Sequence, residues 1–136
     1  RRIAPDAPVT PTLWRLLYEL GEAEQANPTA ERRWATLFMG MAYCAGLHDY
    51  EVPLGWALAE AGWSEVRLTR LLEERHERRL ATRIRRMAQY LANKKQKANW
   101  ADVARLLFYP SGEYAENVRL DIARAYYAML YRKENE

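Results

Sequence analysis

The residues best suited to chemistry are basic side chains concentrated between positions 67 and 97. That stretch has eleven basic and three acidic residues, a formal charge of +8, whereas the other 105 residues have ten basic and fifteen acidic ones. The net charge of +3 for the 136-residue chain therefore conceals a strongly polarised molecule. A positive field concentrated on one element is typical of a protein that binds a polyanion.

Helical spacing arranges the densest part of this charge into stripes. Four apolar residues should share one buried face of a helix: Leu80, Ile84, Met87 and Leu91. A second stripe runs beside that face: Arg79, Arg83, Arg86, Tyr90 and Lys94. Arg78 and Arg85 fall on the opposite flank. No acidic residue occurs from 78 to 97, so we expect the second stripe to be uncompensated by the chain's own carboxylates and open to phosphate oxygens.

Catalytic chemistry finds little support in the sequence. His48 and His76 have no partner at metal-ligand spacing, and we interpret both as ordinary surface groups. Glu73, Glu74 and Glu77 each have a basic side chain one, three or four positions further on, which predicts ion pairs within helices. The six glycines are scattered and form no phosphate-binding loop. We therefore expect no enzyme, no metal, no cofactor and no small-molecule substrate.

Composition limits the class of protein further. The chain is 49% hydrophobic, which is enough to bury a core. Its five Trp and nine Tyr exceed what such a core needs, so we expect some of them at an interface with another protein. The single cysteine, Cys44, fits a reducing cytoplasm. The longest uncharged apolar run, 34–47, is shorter than the ~20 residues that span a bilayer, so we expect no membrane partner.

The spacing of apolar residues predicts an all-α protein of about seven helices without a sheet. Turn and capping residues place the helices at 10–20, 28–45, 53–62, 64–77, 78–93, 99–108 and 114–131. Asn99 with Asp102 resembles a capping box. We expect two small bundles packed together: an N-terminal lobe, residues 1–62, and a C-terminal lobe, residues 63–136, which carries the basic helix.

One way to hold nucleic acid is to read a duplex. Residues 54–72 have the shape of a helix-turn-helix, with Gly62 in the turn. Its second helix would present four residues to the major groove: Ser64, Glu65, Arg67 and Arg70. This alternative leaves the densest charge outside the recognition helix.

A second way is to follow the phosphates of one strand without reading its bases. The candidate contacts are Arg1, Arg2, Arg32, Arg33, Arg67, Arg78, Arg79, Arg83, Arg86 and Lys94. Tyr90 could stack on bases, although a core or interface role fits it equally well. A third alternative is a scaffold whose basic face meets an acidic protein partner.

Five segments in order resemble one family: VPLGWALAEAG, SEVRLTRLLEE, RIRRMAQYL, NWADVARLLFYPSGE and IARAYY. They are similar to the CasB family, the small subunits of the type I-E CRISPR surveillance complex, Cascade. The resemblance covers about 53–127, with a fainter match at Arg1-Arg2 and along 34–44. The chain departs from the family in three ways: the first helix, expected upstream of Arg1, is missing, the loop at 47–52 is shorter, and one extra residue lies between 72 and 83.

The resemblance implies a non-enzymatic, all-α subunit that acts in cytoplasmic antiviral defence. Such a subunit pairs head-to-tail with a second copy and lies beside the backbone and large subunits of Cascade. It also implies contact with the crRNA–target hybrid and with the displaced single-stranded DNA, which a basic groove would hold to stabilise the R-loop. Arg1, Arg2 and Arg33 match basic positions of the family. Arg85 and Arg86 match a pair in its long helix, and Arg86 is the better candidate for a strand contact.

Overall fold

A computed structural model describes Arg15, Tyr18 and residues 28–136. Within that part, the chain forms six helices and no strand: α1 (Pro28–Tyr43), α2 (Leu54–Ala61), α3 (Glu65–Glu73), α4 (Glu77–Lys94), α5 (Trp100–Phe108) and α6 (Glu113–Glu134). The all-α prediction is confirmed. The helix expected at 10–20 lies outside the described residues except for Arg15 and Tyr18, and the division into lobes at residue 62 stays a prediction.

Local capping signals account for most helix ends. The Ser64 hydroxyl accepts a hydrogen bond from the Arg67 N–H at 3.2 Å and caps α3, as predicted. Gly62 ends α2 with φ +88°, a conformation that glycine adopts without the strain of a Cβ. The Trp63 N–H then donates to the Leu58 carbonyl at 2.9 Å, which completes a Schellman motif. These two ends fix the short turn that leads from α2 into α3.

The capping box expected at Asn99 is only half present. The Asn99 side chain accepts a hydrogen bond from the Ala101 N–H, so the N-cap is confirmed. Asp102, however, does not reach back to the Asn99 N–H, which donates to the Val52 carbonyl at 2.7 Å. The Asp102 carboxylate instead accepts from the Leu54 N–H at 3.0 Å. It therefore caps α2 from a different helix, a tertiary contact that the local pattern could not reveal.

The apolar stripe predicted on the basic helix is buried as expected. Its four side chains are at most 5% exposed, and they pack beneath α4 against the core. Helix α4 packs against α1 and α3. The residues on the two flanks of its buried stripe are nevertheless exposed or partly exposed. The basic side chains of α4 therefore lie on two sides of one buried stripe.

Helix α6 holds α2 and the following turn in place. The two helices approach so closely that a Cβ on Gly55 would clash with the Ile122 carbonyl oxygen. Farther along α6, the Tyr126 hydroxyl donates to the Trp63 carbonyl, and Lys133 donates to the last carbonyls of α2. Since Trp63 immediately precedes the cap of α3, these contacts fix where α3 begins.

Candidate nucleic-acid interface

Helices α3 and α4 enclose a groove of about 380 Å³ that is rich in arginine. We call it the α3–α4 groove, and its lining is Trp63, Arg67, Arg70, Arg83, Arg86, Gln89, Tyr90 and Asn93. Arg67 and Arg70 lie one turn apart on α3, and Arg83 and Arg86 lie one turn apart on α4. Four guanidinium groups from two helices therefore meet at one surface, where their planar forks suit phosphate oxygens.

Two aromatic rings form the floor of this groove. The Trp63 indole, 6% exposed, meets the Tyr90 ring edge-on with centroids 5.1 Å apart. The Tyr90 hydroxyl donates to the Ala61 carbonyl at 2.7 Å, which anchors the ring. The Arg67 guanidinium carbon lies 4.9 Å from the Trp63 centroid, and the Lys94 ammonium lies 5.6 Å from the Tyr90 centroid. Cation–π attraction thus holds two cations at fixed places along the groove.

The expectation that the stripe would be uncompensated is wrong for Arg79 and Arg83. The Nε groups of Arg83 and Arg79 donate to the two carboxylate oxygens of Glu74 at 2.8 and 3.1 Å. The Glu74 side chain is only 8% exposed. Its pKa is lowered to about 2, chiefly by the hydrogen bond from Arg83, with a further contribution from Arg79. One buried carboxylate therefore neutralises part of the stripe and fixes the position of both arginines.

These ion pairs do not have the helical spacing expected of them. Glu74 follows the last residue of α3, so it reaches partners five and nine positions ahead on α4. Glu77 accepts from the Arg33 Nε at 2.9 Å and thereby links α4 to α1. The interpretation as pairs within one helix is wrong for both carboxylates, because the turn between α3 and α4 brings separate elements together.

The rest of the α3–α4 groove keeps its positive charge. In the described part of the chain, no carboxylate lies within salt-bridge distance of Arg67, Arg70 or Arg86. The groove lining itself contains no acidic residue. Of the four lining arginines, only Arg83 is paired with a carboxylate in the described residues, and that carboxylate, Glu74, also pairs with Arg79. The arrangement remains suited to an anionic ligand.

A second group of cations occupies the other flank of α4. We call it the α1–α4 groove, about 250 Å³, and its charged lining residues are Arg32, Arg33, Arg78, Arg85 and Glu77. Arg33 is mostly buried in its pair with Glu77, and the Arg85 Nε donates to the Met39 sulfur at 3.2 Å. The predicted separation of Arg78 and Arg85 from the other stripe is confirmed.

The ten candidate contacts therefore do not form one continuous groove in the described residues. Arg67, Arg83 and Arg86 line the α3–α4 groove, and Lys94 lies against its floor. Arg32, Arg33 and Arg78 line the α1–α4 groove. Arg79, 67% exposed, lines neither. Arg1 and Arg2 lie outside the described residues.

The family comparison gives these grooves a context. The sequence profile of a family described as CRISPR-associated protein Cse2 matches residues 1–127. The chain belongs to the Cse2 family. The CasB resemblance is thereby confirmed, because CasB is another name for the same family. No curated protein and no solved structure matched the chain. Membership gives this Cse2 protein its general role, that of a structural subunit of a Cascade complex.

Four residues that line the α3–α4 groove were not predicted as contacts of a single strand. They are Trp63, Arg70, Gln89 and Asn93. Arg70 follows Arg67 by three positions, so helical spacing alone could have placed both on one face of α3. Trp63 gave no such signal, because it lies in a turn and enters the groove only through its contact with Tyr90.

Of the other reactive groups, His48 and Cys44 have structural partners. His48 is half-buried, and its Nδ1 accepts from the Trp100 N–H at 3.1 Å, so the interpretation as an ordinary surface group is wrong for this residue. Burial lowers the pKa of His48. His76 is exposed at the start of α4. Burial raises the pKa of the Cys44 thiol to about 12, which makes it a poor nucleophile.

Neither a metal site nor a membrane-spanning helix occurs in the described residues. The described part of the subunit contains no group of three or more side chains that could hold a metal ion. It likewise contains no helix that combines the length and the apolar character needed to cross a membrane.

Proposed function

We propose that this Cse2 subunit stabilises the R-loop by holding the displaced non-target DNA strand in the α3–α4 groove. The observation that carries the proposal is the meeting of four arginines from two helices over a groove without an acidic lining residue. Base pairing with the guide reads the target sequence in RNA-guided recognition, so the protein needs only backbone contacts. R-loop formation is nearly balanced in free energy, and modest phosphate contacts can tip it.

The aromatic floor favours a single strand over a duplex. Proteins that bind unpaired strands combine a basic groove with flat side chains on which bases stack. Trp63 and Tyr90 lie directly beneath Arg67 and support its guanidinium, which is itself a flat group at the surface of the groove. A duplex keeps its bases inside the helix and could use only the arginines.

The helix-turn-helix alternative has less support. Helix α2 packs mainly against α6 rather than against α3, whereas in that motif the two helices support each other. Glu65 would face the DNA in such a reader. The pKa of the Tyr127 phenol is raised by burial and also by a hydrogen bond to the Glu65 carboxylate, so Glu65 already has a partner on α6. Membership of the Cse2 family also favours the Cascade role.

Other expected partners complete the proposal. The α1–α4 groove is a separate basic surface, which supports a contact with a second phosphate backbone, that of the crRNA–target hybrid. Four large side chains on α6 are 44–71% exposed, and they support contacts with a second copy or with the backbone and large subunits: Tyr114, Leu120, Tyr127 and Tyr131. We propose that these contacts belong to type I-E antiviral defence in the cytoplasm.

The test removes two groove arginines and compares a matched pair elsewhere. In Arg70→Ala/Arg86→Ala, the loss of two phosphate contacts should lower the slope of log K against log salt by ~1.4 and weaken single-strand binding roughly 14-fold at ~0.15 M salt. Arg124→Ala/Arg132→Ala removes the same charge from α6, where both side chains are more than 60% exposed, and should change neither value.

The groove variant should also be assembled into Cascade with the other subunits, where it should shorten the lifetime of the R-loop relative to the wild type. The α6 variant serves as the control for strand binding alone, because α6 carries proposed subunit contacts. Equal salt slopes for the two variants, together with a wild-type R-loop lifetime for the groove variant, would refute the assignment of the displaced strand to the α3–α4 groove. Helical circular dichroism of both variants verifies that neither effect comes from unfolding.

A further inference from the structure

We infer that the floor of the α3–α4 groove is a binding site for one unpaired DNA base, which stacks on the guanidinium plane of Arg67. The inference rests on the proposed function and specifies which part of the strand the groove recognises besides phosphate. It follows from the way in which Arg67 differs from the other three lining arginines.

Arg67 is the lining arginine whose guanidinium is held by aromatic rings. Its Cζ lies 4.9 Å from the Trp63 centroid and 5.8 Å from the Tyr90 centroid, although the residue as a whole is exposed. The guanidinium thus rests against aromatic surface, and the exposed residue also lines the groove. Arginine planes held in this way are platforms on which proteins stack single-stranded bases.

The surrounding residues supply the remaining parts of a nucleotide site. Arg70, Arg83 and Arg86 line the same space and can bind the phosphates on either side of a stacked base. Asn93, exposed on α4, offers an amide with both donors and an acceptor, which can meet the edge of any base. The volume of about 380 Å³ falls within the range of small-ligand pockets, which begins near ~300 Å³.

This site explains how a groove that binds phosphate could prefer the displaced strand. A duplex presents phosphates but no free base face, so it would leave the Arg67 plane unused. An unpaired strand can turn one base onto that plane while its backbone contacts the other arginines. Preference for an unpaired strand then follows without any reading of sequence.

The test compares two single strands of equal length and charge, one of deoxythymidine and one abasic. The wild-type protein should bind the deoxythymidine strand roughly tenfold more tightly, an effect within the range of one stacking contact. Arg67→Lys keeps the charge but removes the planar surface, so it should bind both strands equally, with the salt slope of the wild type. Arg70→Lys is the matched control and should keep the preference for bases.

The outcomes separate this inference from the proposed function. Equal binding of both strands by the wild type, with a normal salt slope, would overturn the base site and leave the phosphate groove intact. A base preference that survives in Arg67→Lys would also overturn it. Absence of salt-dependent binding to either strand would refute the proposed function as well. Because Arg67 is exposed, thermal unfolding should show that Arg67→Lys folds normally.

Discussion

Replacing Glu74 by glutamine should weaken the fold and strengthen nucleic-acid binding at the same time. Glu74→Gln preserves the shape of the side chain but removes its charge. Arg83 and Arg79 then lose the carboxylate that now accepts from both of them at 2.8 and 3.1 Å. The two effects have opposite signs because the same carboxylate holds the arginines in place and competes with phosphate for them.

The size of each effect follows from the exposure of the partners. The bond to Arg83 joins side chains that are 31% and 8% exposed, and a charge-assisted bond of that kind contributes ~1.5–3 kcal/mol. Arg79 is 67% exposed, so its bond adds at most ~1 kcal/mol. Glutamine retains one neutral acceptor, and we expect a net loss of ~1–3 kcal/mol. That loss lowers Tm by ~3–9 °C in a chain of this length.

The affinity of Glu74→Gln for a single DNA strand should increase, whereas its stability should decrease. Removing one negative charge beside the α3–α4 groove leaves the guanidinium of Arg83 available for one further phosphate. One added contact raises the salt slope by ~0.7 and the affinity for a single strand roughly fourfold at ~0.15 M salt. Glu73→Gln is the control: it makes the same charge change on an exposed neighbour that has no ion pair in the described residues, and it should alter stability little.

The pH dependence provides an independent check of Glu74. Its pKa is about 2 in the folded protein and near the ordinary value of 4.5 when unfolded. A lowered pKa means that the stabilisation is fully present above pH 4.5 and is lost as the pH falls toward 2. Urea unfolding should therefore show a wild-type advantage at pH 7 that shrinks below pH 4.5. A variant that loses both stability and affinity, or an advantage that persists at low pH, would refute this account of Glu74.

Two further predictions concern the scaffold. Gly55→Ala should lower the free energy of unfolding by ~1–3 kcal/mol in a urea titration, because its Cβ would meet the Ile122 carbonyl oxygen. The control is Glu60→Ala, on the exposed side of the same helix, which should be nearly neutral in the same titration. The lowered pKa of His48 means that its contribution to stability is complete above pH 6.5 and falls as the pH drops below that value. His48→Gln keeps an acceptor for the Trp100 N–H and should lose this part of the pH dependence; an unchanged profile would show that another group titrates.

Local patterns predicted the helices well because the signals that define a helix are themselves local. The buried stripe beneath α4 follows from spacing alone, and Ser64 and Asn99 cap their helices through atoms two or three residues away. Gly62 likewise marks the end of α2, because its positive φ is required at that position. Each of these features can be decided within one turn of a helix.

The features that needed the structure all depend on how separate helices meet. Asp102 has a capping-box position in the sequence but caps α2, because the chain between 47 and 53 passes beside the start of α5. Glu74 reaches arginines five and nine positions ahead because of the turn that joins α3 to α4. The same turn determines that Arg67 and Arg86 share one groove while Arg78 lies in another. The density of basic residues predicted a binding surface. The packing of the helices separates that surface into two grooves, which the sequence alone could not show.

The buried Glu74 carboxylate lowers the net positive charge of the α3–α4 groove, and this has an advantage for binding. Four long arginine side chains crowded together repel one another and lose conformational freedom when a strand binds. Glu74 reduces that repulsion and holds Arg83 in place before any ligand arrives, which lowers the entropic cost of binding. It does so by giving up part of the attraction for phosphate. Under the proposed function, R-loop formation is nearly balanced in free energy, so a groove that is preorganised and only moderately attractive would hold a displaced strand and still release it.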